Sequence, residues 1–251
     1  VEAVGKRSIL GLVLGSSLAG TCWAQFGGDL QAQILYGFQT EDVNQVADLR
    51  QTLSTEVHDD AGDLALHYHL AHADLRYAEI VAVKKPGAAE DALADCVHNT
   101  KAIIDKDPSS VEALVLESQC LAELAAHRKV EGVLLRTQAA DRLAAAYKLA
   151  PTNPRVLLLR AENDLEHAKE GSPASVRGFA ELQQAAARFE ESSATSIDAP
   201  GWGHADAYLA LGRQYAHRGD ILAARNWIEK ALIAAPDYRA AQRELAALVH
   251  R

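Results

Sequence analysis

Three histidines crowd one short stretch, residues 66–79, which reads LHYHLAHADLRYAE. His67, His69 and His72 are residue types that bind metals or shuttle protons, so their directions decide whether they can act together. On an α-helix each residue advances by about 100°. Leu64, Tyr68, Ala71, Leu75 and Ala78 then fall in one narrow sector and form the buried stripe. From its centre His67 lies about 60° to one side, His72 about 80° to the other and His69 about 140° away. The three rings cannot converge on one ion. His69 and His72, three apart, are the pair that can, but Arg76 shares their side and opposes a cation, and a metal site needs further ligands and an ordered outer shell. The spacing therefore predicts the polar flank of a packed helix, with His67 near Asp63 and Asp74, and keeps His69 with His72 as the alternative metal pair.

Other chemistry is sparse. The sequence has no G-x-S-x-G elbow, no phosphate loop ending in Gly-Lys-Ser/Thr, no H-E-x-x-H and no C-x-x-C. His58-Asp59-Asp60 sets an acid–base trio in sequence, but it precedes a helix start and reads as an interhelix loop. Gly201-Trp202-Gly203-His204 follows no strand, and its glycines shape a turn. Neither a catalytic residue nor a cofactor is expected. Binding to a protein partner is the chemistry left.

The elements that would carry such binding are helices. The 251 residues are 49% hydrophobic and 24% charged, and alanine runs such as AADRLAAAY dominate while β-branched and aromatic runs are few. A net charge of −9 supplies no clustered Lys and Arg to replace the counterions of nucleic acid. At the N-terminus Lys6 and Arg7 precede an apolar stretch, Ile9–Ala19, and then GTCWAQ. This is the arrangement of a secretory signal peptide, residues 1–24, cut between Ala24 and Gln25. The apolar run is too short for a permanent span, so no integral membrane helix is expected after cleavage. Cys22 raises a lipid anchor as the alternative, but Leu18-Ala19-Gly20 sits one residue out of lipobox register. The expected location is periplasmic or secreted. Cys96 and Cys120 then remain, either as a disulfide in an oxidising compartment or as two buried fillers.

Residues 205–238, ADAYLALGRQYAHRGDILAARNWIEKALIAAPDY, hold two helical stripes separated by Gly219-Asp220 and closed by Pro236. The passage resembles the tetratricopeptide repeat. Counting from Ala205, the family's signature places fall on Tyr208, Leu211, Gly212, Tyr215, Gly219, Ala224, Ile228, Ala231 and Pro236, over a unit of about 34 residues. Residues 239–250 look like the helix that covers the open end of such an array. Looser units start at Val111 and Pro154; the helix after the first is expected at Val130–Ala150, and the helix after the second from Ser172-Pro173 to about Glu191. Upstream, residues 61–82 and 88–106 read as one pair and 28–55 as a shorter pair broken near Gln39-Thr40. NPRVLLLRA with PGWGHADAYLALG is also similar to exported bacterial tetratricopeptide-like proteins.

The expected fold is all-α: a right-handed superhelical α-solenoid over residues 25–251, about five helix-turn-helix pairs plus the capping helix. The resemblance implies a concave groove lined by first helices, with Glu112, Val115, Gln119 and Ala122 in one unit. Arg155, Leu158, Glu162 and Leu165 follow in the next, then Asp206, Leu209, Arg213 and Ala216. It implies a protein or peptide partner and makes Arg155 and Arg213 anchors for a carboxylate or carbonyl. The lysine- and asparagine-rich set of a terminal-carboxylate clamp is missing. The functional expectation is a non-catalytic exported scaffold for protein–protein contacts; the alternatives are a metal-binding protein using His69 and His72, or a lipid-anchored accessory factor of an envelope assembly machine.

Overall fold

The computed structural model describes residues 30–193 and 200–248, so the expected signal peptide lies outside the described residues. The described chain is a succession of α-helices: α1 (30–39), α2 (Val43–Asp59), α3 (Leu64–Val81), α4 (Pro86–Lys106), α5 (Val111–His127), α6 (Gly132–Leu149), α7 (Pro154–His167), α8 (Pro173–Ser193), α9 (His204–His217), α10 (Ile221–Ala234) and α11 (Arg239–Leu248).

Local chemistry sets the starts. Asp42, Asp63, Asn153 and Asp220 each turn a side-chain oxygen onto amides of the helix they precede, satisfying donors that have no partner within the first turn. Pro86 and Pro154 occupy the first turn, where no amide hydrogen is needed. Each helix packs most extensively on its chain neighbour: α3 on α4, α5 on α6, α7 on α8 and α9 on α10, with α4 on α5, α8 on α9 and α10 on α11 joining the pairs. The result is an α-solenoid of helix pairs ending in α11.

The last repeat shows why its signature residues are what they are. Tyr208, Leu211, Ala224, Ile228 and Ala231 are buried in one cluster. A Cβ on Gly212 would sit 2.5 Å from Cγ1 of Ile228 and 3.2 Å from the Ala224 carbonyl, so only glycine lets α9 and α10 approach this closely.

Two boundaries differ from expectation. The second helix of the Val111 unit is Gly132–Leu149 rather than Val130–Ala150, and Val130 stands 98% exposed in the turn. Helix α2 runs to Asp59, because the Asp60 amide still bonds to the Glu56 carbonyl; His58 and Asp59 therefore belong to its last turn, not to a loop.

Cys96 on α4 and Cys120 on α5 are joined as a disulfide, with Cα atoms 6.2 Å apart and a sequence separation of 24. Both are fully buried. Closing a loop of this length contributes about 3 kcal/mol by restricting the unfolded chain. A Cys96→Ala/Cys120→Ala variant should lose that amount in denaturant unfolding, and a loss below about 1 kcal/mol would show that the link adds little.

Candidate functional site

The array coils until its first helices meet its last ones. Three contacts fasten the outer seam: the Gly201 amide donates to Gln31 Oε1 (2.6 Å), Phe38 packs on Tyr238 at 6.0 Å between ring centres, and Arg243 pairs with Glu41 (2.6 Å). Inside the seam lies Trp202, in the short loop before α9 and only 2% exposed. Its indole Nε1 donates to the Tyr68 hydroxyl on α3 (2.8 Å), its carbonyl accepts from Arg155 Nε on α7 (3.1 Å), and its ring lies 5.8 Å from that of His72. The backbone beside it must turn sharply: Gly203 has φ +99°, and a Cβ there would sit 2.6 Å from Phe189 Cζ. Gly201-Trp202-Gly203 is thus a turn, as its glycines suggested, whose tryptophan plugs the centre of the coil.

Charge follows the same seam. Arg76 on α3, buried to 3% exposure, pairs with Glu79 (2.8 Å) and, across the seam, with Asp206 on α9 (3.2 Å). Its guanidinium also lies 4.3 Å from the Phe38 ring centre. The Tyr238 hydroxyl donates to the other oxygen of Asp206 (2.7 Å).

The residues expected to line a groove therefore divide. Arg155 is 5% exposed, pairs with Glu112 (3.3 Å) and holds the Trp202 carbonyl. The expectation that it anchors a partner's carboxylate is corrected, because the coil has already engaged its donors. Glu112 also accepts from Asn153 Nδ2 (2.8 Å). Asp206 is taken by Arg76 and Tyr238, and Leu209 is buried at 1% exposure. Arg213 pairs with Glu244 of α11 (2.9 Å) on the rim. Gln119 and Glu162 still face an inner chamber.

That chamber is a cavity of about 460 Å³ between α5, α6 and α7, with Ala122, Ala140, Leu143 and Leu159 as its apolar lining and Glu123, Glu162 and Glu166 as its acids. A smaller space of about 200 Å³ shares Gln119, Leu159 and Glu162 with it and reaches Arg76 and Asp206. Gln119 Nε2 donates to Glu79 (3.1 Å) and to Glu123 (3.3 Å), while its Oε1 is buried without a partner. Desolvation, reinforced by Asp206 and Glu79, pushes the Glu162 carboxyl up to about 7. Enclosure by the coil, rather than direct packing, is the cause, since the Glu162 side chain remains exposed to the chamber.

The histidine cluster is corrected too. His67, His69 and His72 are all buried, because α3 is covered by its neighbours and by Trp202 from the far end of the array. His67 Nδ1 meets Asn99 Oδ1 (2.8 Å), and it is Asn99, not His67, that reaches Asp74 (3.4 Å). Asp74 is paired with Arg50 (2.6 Å). His72 Nε2 accepts from Arg76 Nε (3.2 Å), which puts the ring proton on Nδ1, an atom with no partner. Among the described residues no group of three His, Cys, Asp or Glu side chains is arranged to hold a metal ion.

Burial first, then Arg76, His69 and Arg155, hold the His72 pKa well below its usual value. The unfolded chain takes up a proton near pH 6.5 that the fold refuses, so this stability is present above about pH 6.5 and lost as the pH falls. Denaturant unfolding at several pH values should show the gap between wild type and His72→Gln narrowing by about 1–2 kcal/mol from pH 7.5 to 5. A gap independent of pH would mean that His72 is protonated in the fold.

Comparison with known proteins supports the architecture. A solved tetratricopeptide-repeat protein of Thermus thermophilus, described as thermophilic, superposes with a TM-score of 0.62, covering 91% of this chain and 100% of its own at 17% identity. At that identity the likeness is one of fold. No family model and no curated protein matches the sequence.

Proposed function

We propose that this chain is a non-catalytic scaffold of the periplasm or cell envelope whose inner chamber holds a segment of a partner protein. The observation that carries the reading is the chamber itself: α5 and α7, two first helices of the repeat array, and α6 between them surround an open space with an apolar lining and polar walls, the form in which solenoids receive extended segments. The likeness to a tetratricopeptide-repeat fold supports a binding role over catalysis. The basic–apolar–small order of residues 1–24 supports export, and among the described residues no helix is long and apolar enough to cross a membrane.

A photo-reactive residue placed at Ala122, exposed in the chamber, is expected to give discrete protein adducts in cells. The same residue at Val176, exposed but absent from the chamber lining, should give none. Equal labelling from both positions, or none from Ala122, would overturn the reading. The mature chain should begin at Gln25, and recovery of an uncut chain from the cytosol would contradict export.

A further inference from the structure

The charges around the chamber do not balance. Arg76 is shared between Glu79 and Asp206, and Arg213 is turned to Glu244. Glu123, Glu162 and Glu166 line the larger space with one cation, Arg136, and none of the three acids makes an ion pair within 4.0 Å among the described residues. The buried Oε1 of Gln119, at the junction of the two spaces, is an acceptor awaiting a donor. Beside these acceptors the surface is apolar and built of small residues, Ala122, Ala126 and Ala140 with Leu143 and Leu159, which leaves room for side chains rather than supplying them.

We propose that the chamber takes a lysine or arginine side chain carried on an otherwise apolar segment of a partner protein. The cation meets Glu162 and donates to Gln119, beside Glu123, whose carboxyl is held well above its usual range by burial and by Glu79, while the segment's apolar residues cover the alanines and leucines. Cation and apolar flanks together match the lining; a nucleic acid or an acidic peptide would add like charge to it. The inference rests on the scaffold reading and specifies its partner.

Glu162 also gives the site a pH dependence. It is faced by Arg76 and Glu79 from α3, by Gln119 and Glu123 from α5 and by Arg136 from α6. Asp206 and Arg213 of α9, Tyr238 just before α11 and Glu166 of its own helix complete the set. With its carboxyl pushed up to about 7, it is largely neutral at pH 6 and ionised at pH 8, so a cation should bind more tightly as the pH rises.

Calorimetry on the full chain tests this with an acetylated, amidated peptide of sequence AALKALAA, a twin with glutamate in place of lysine, and spermidine. The lysine peptide should bind at least about tenfold more tightly than its twin. Glu162→Gln should weaken it by about tenfold without lowering the unfolding midpoint, since Glu162 makes no ion pair that the fold depends on and its surroundings disfavour its charge. Glu123→Gln provides a second variant at the same site. Equal binding of the two peptides, or spermidine binding as tightly as the lysine peptide, would overturn the proposal. So would the absence of peptide binding, but adducts from Ala122 would then leave the scaffold reading standing; if those are missing as well, both fall.

Discussion

Replacing Trp202 by alanine is expected to cost about 3–5 kcal/mol of unfolding free energy, at the upper end of what removal of one side chain does. Three losses coincide there. The indole leaves a void in the cluster shared by α4, α5, α6 and α7, the Tyr68 hydroxyl loses its partner, and His72 loses the ring that covers it. The loop itself should survive, because Gly203 still permits its turn. Wild type and variant should therefore differ in two ways: a lower denaturant midpoint, and faster amide exchange concentrated in α1 and α11, the elements held at the seam. Trp202→Phe retains the apolar plug without the Tyr68 bond and should recover most of the loss. A drop below about 1 kcal/mol for Trp202→Ala would mean that the plug is incidental.

Arg76→Met carries the second large effect, about 3–5 kcal/mol. The arginine is buried between two carboxylates, and its removal leaves Glu79 and Asp206 facing one another without a cation in a desolvated space. The methionine keeps most of the contact with Phe38, so the loss measures charge more than packing. Adding Glu79→Gln and Asp206→Asn should restore much of the stability, since the neutral amides need no counter-charge and the new side-chain carbonyl can still accept from Tyr238. Failure of these changes to restore stability would place the cost of Arg76→Met in packing and not in the stranded carboxylates. Such a cycle separates the worth of the pair from the penalty of breaking it.

The parts of the fold that local sequence encodes were legible. The last repeat could be read because Tyr208, Leu211, Gly212, Ala224 and Ile228 meet within one helix pair, so periodicity alone places them together. The closure could not be read. Arg76 and Asp206 are separated by 130 residues, and Trp202 meets Tyr68 across 134; no spacing rule connects residues that meet only when an array coils. A helical projection of α3 assumed one buried stripe, whereas the closed coil covers most of the helix and takes all three histidines with it. Trp202 did leave a trace, as a large aromatic held between glycines in a loop, a place where water-exposed chains rarely put one. For the groove, repeat register named residues on the inner wall but not which of them the fold would consume: Arg155 and Asp206 hold the seam, Leu209 is buried in the core of the last helices, and Gln119 and Glu162 face the chamber.

Distance between the two ends of the array tests closure most directly. Asn44, beside α1, and Asp237, just before α11, line the same space at the seam, and both are exposed enough to carry spin labels. With cysteines at these positions in a Cys22→Ser background, the closed coil predicts a single short separation, under about 25 Å, whereas an open array of helices stacked about 8–10 Å apart would give on the order of 40 Å or more. A narrow distribution at the short distance, lengthened by Trp202→Ala, is the expected result. A long or broad distribution in the unaltered seam would contradict it, and with it the enclosed chamber.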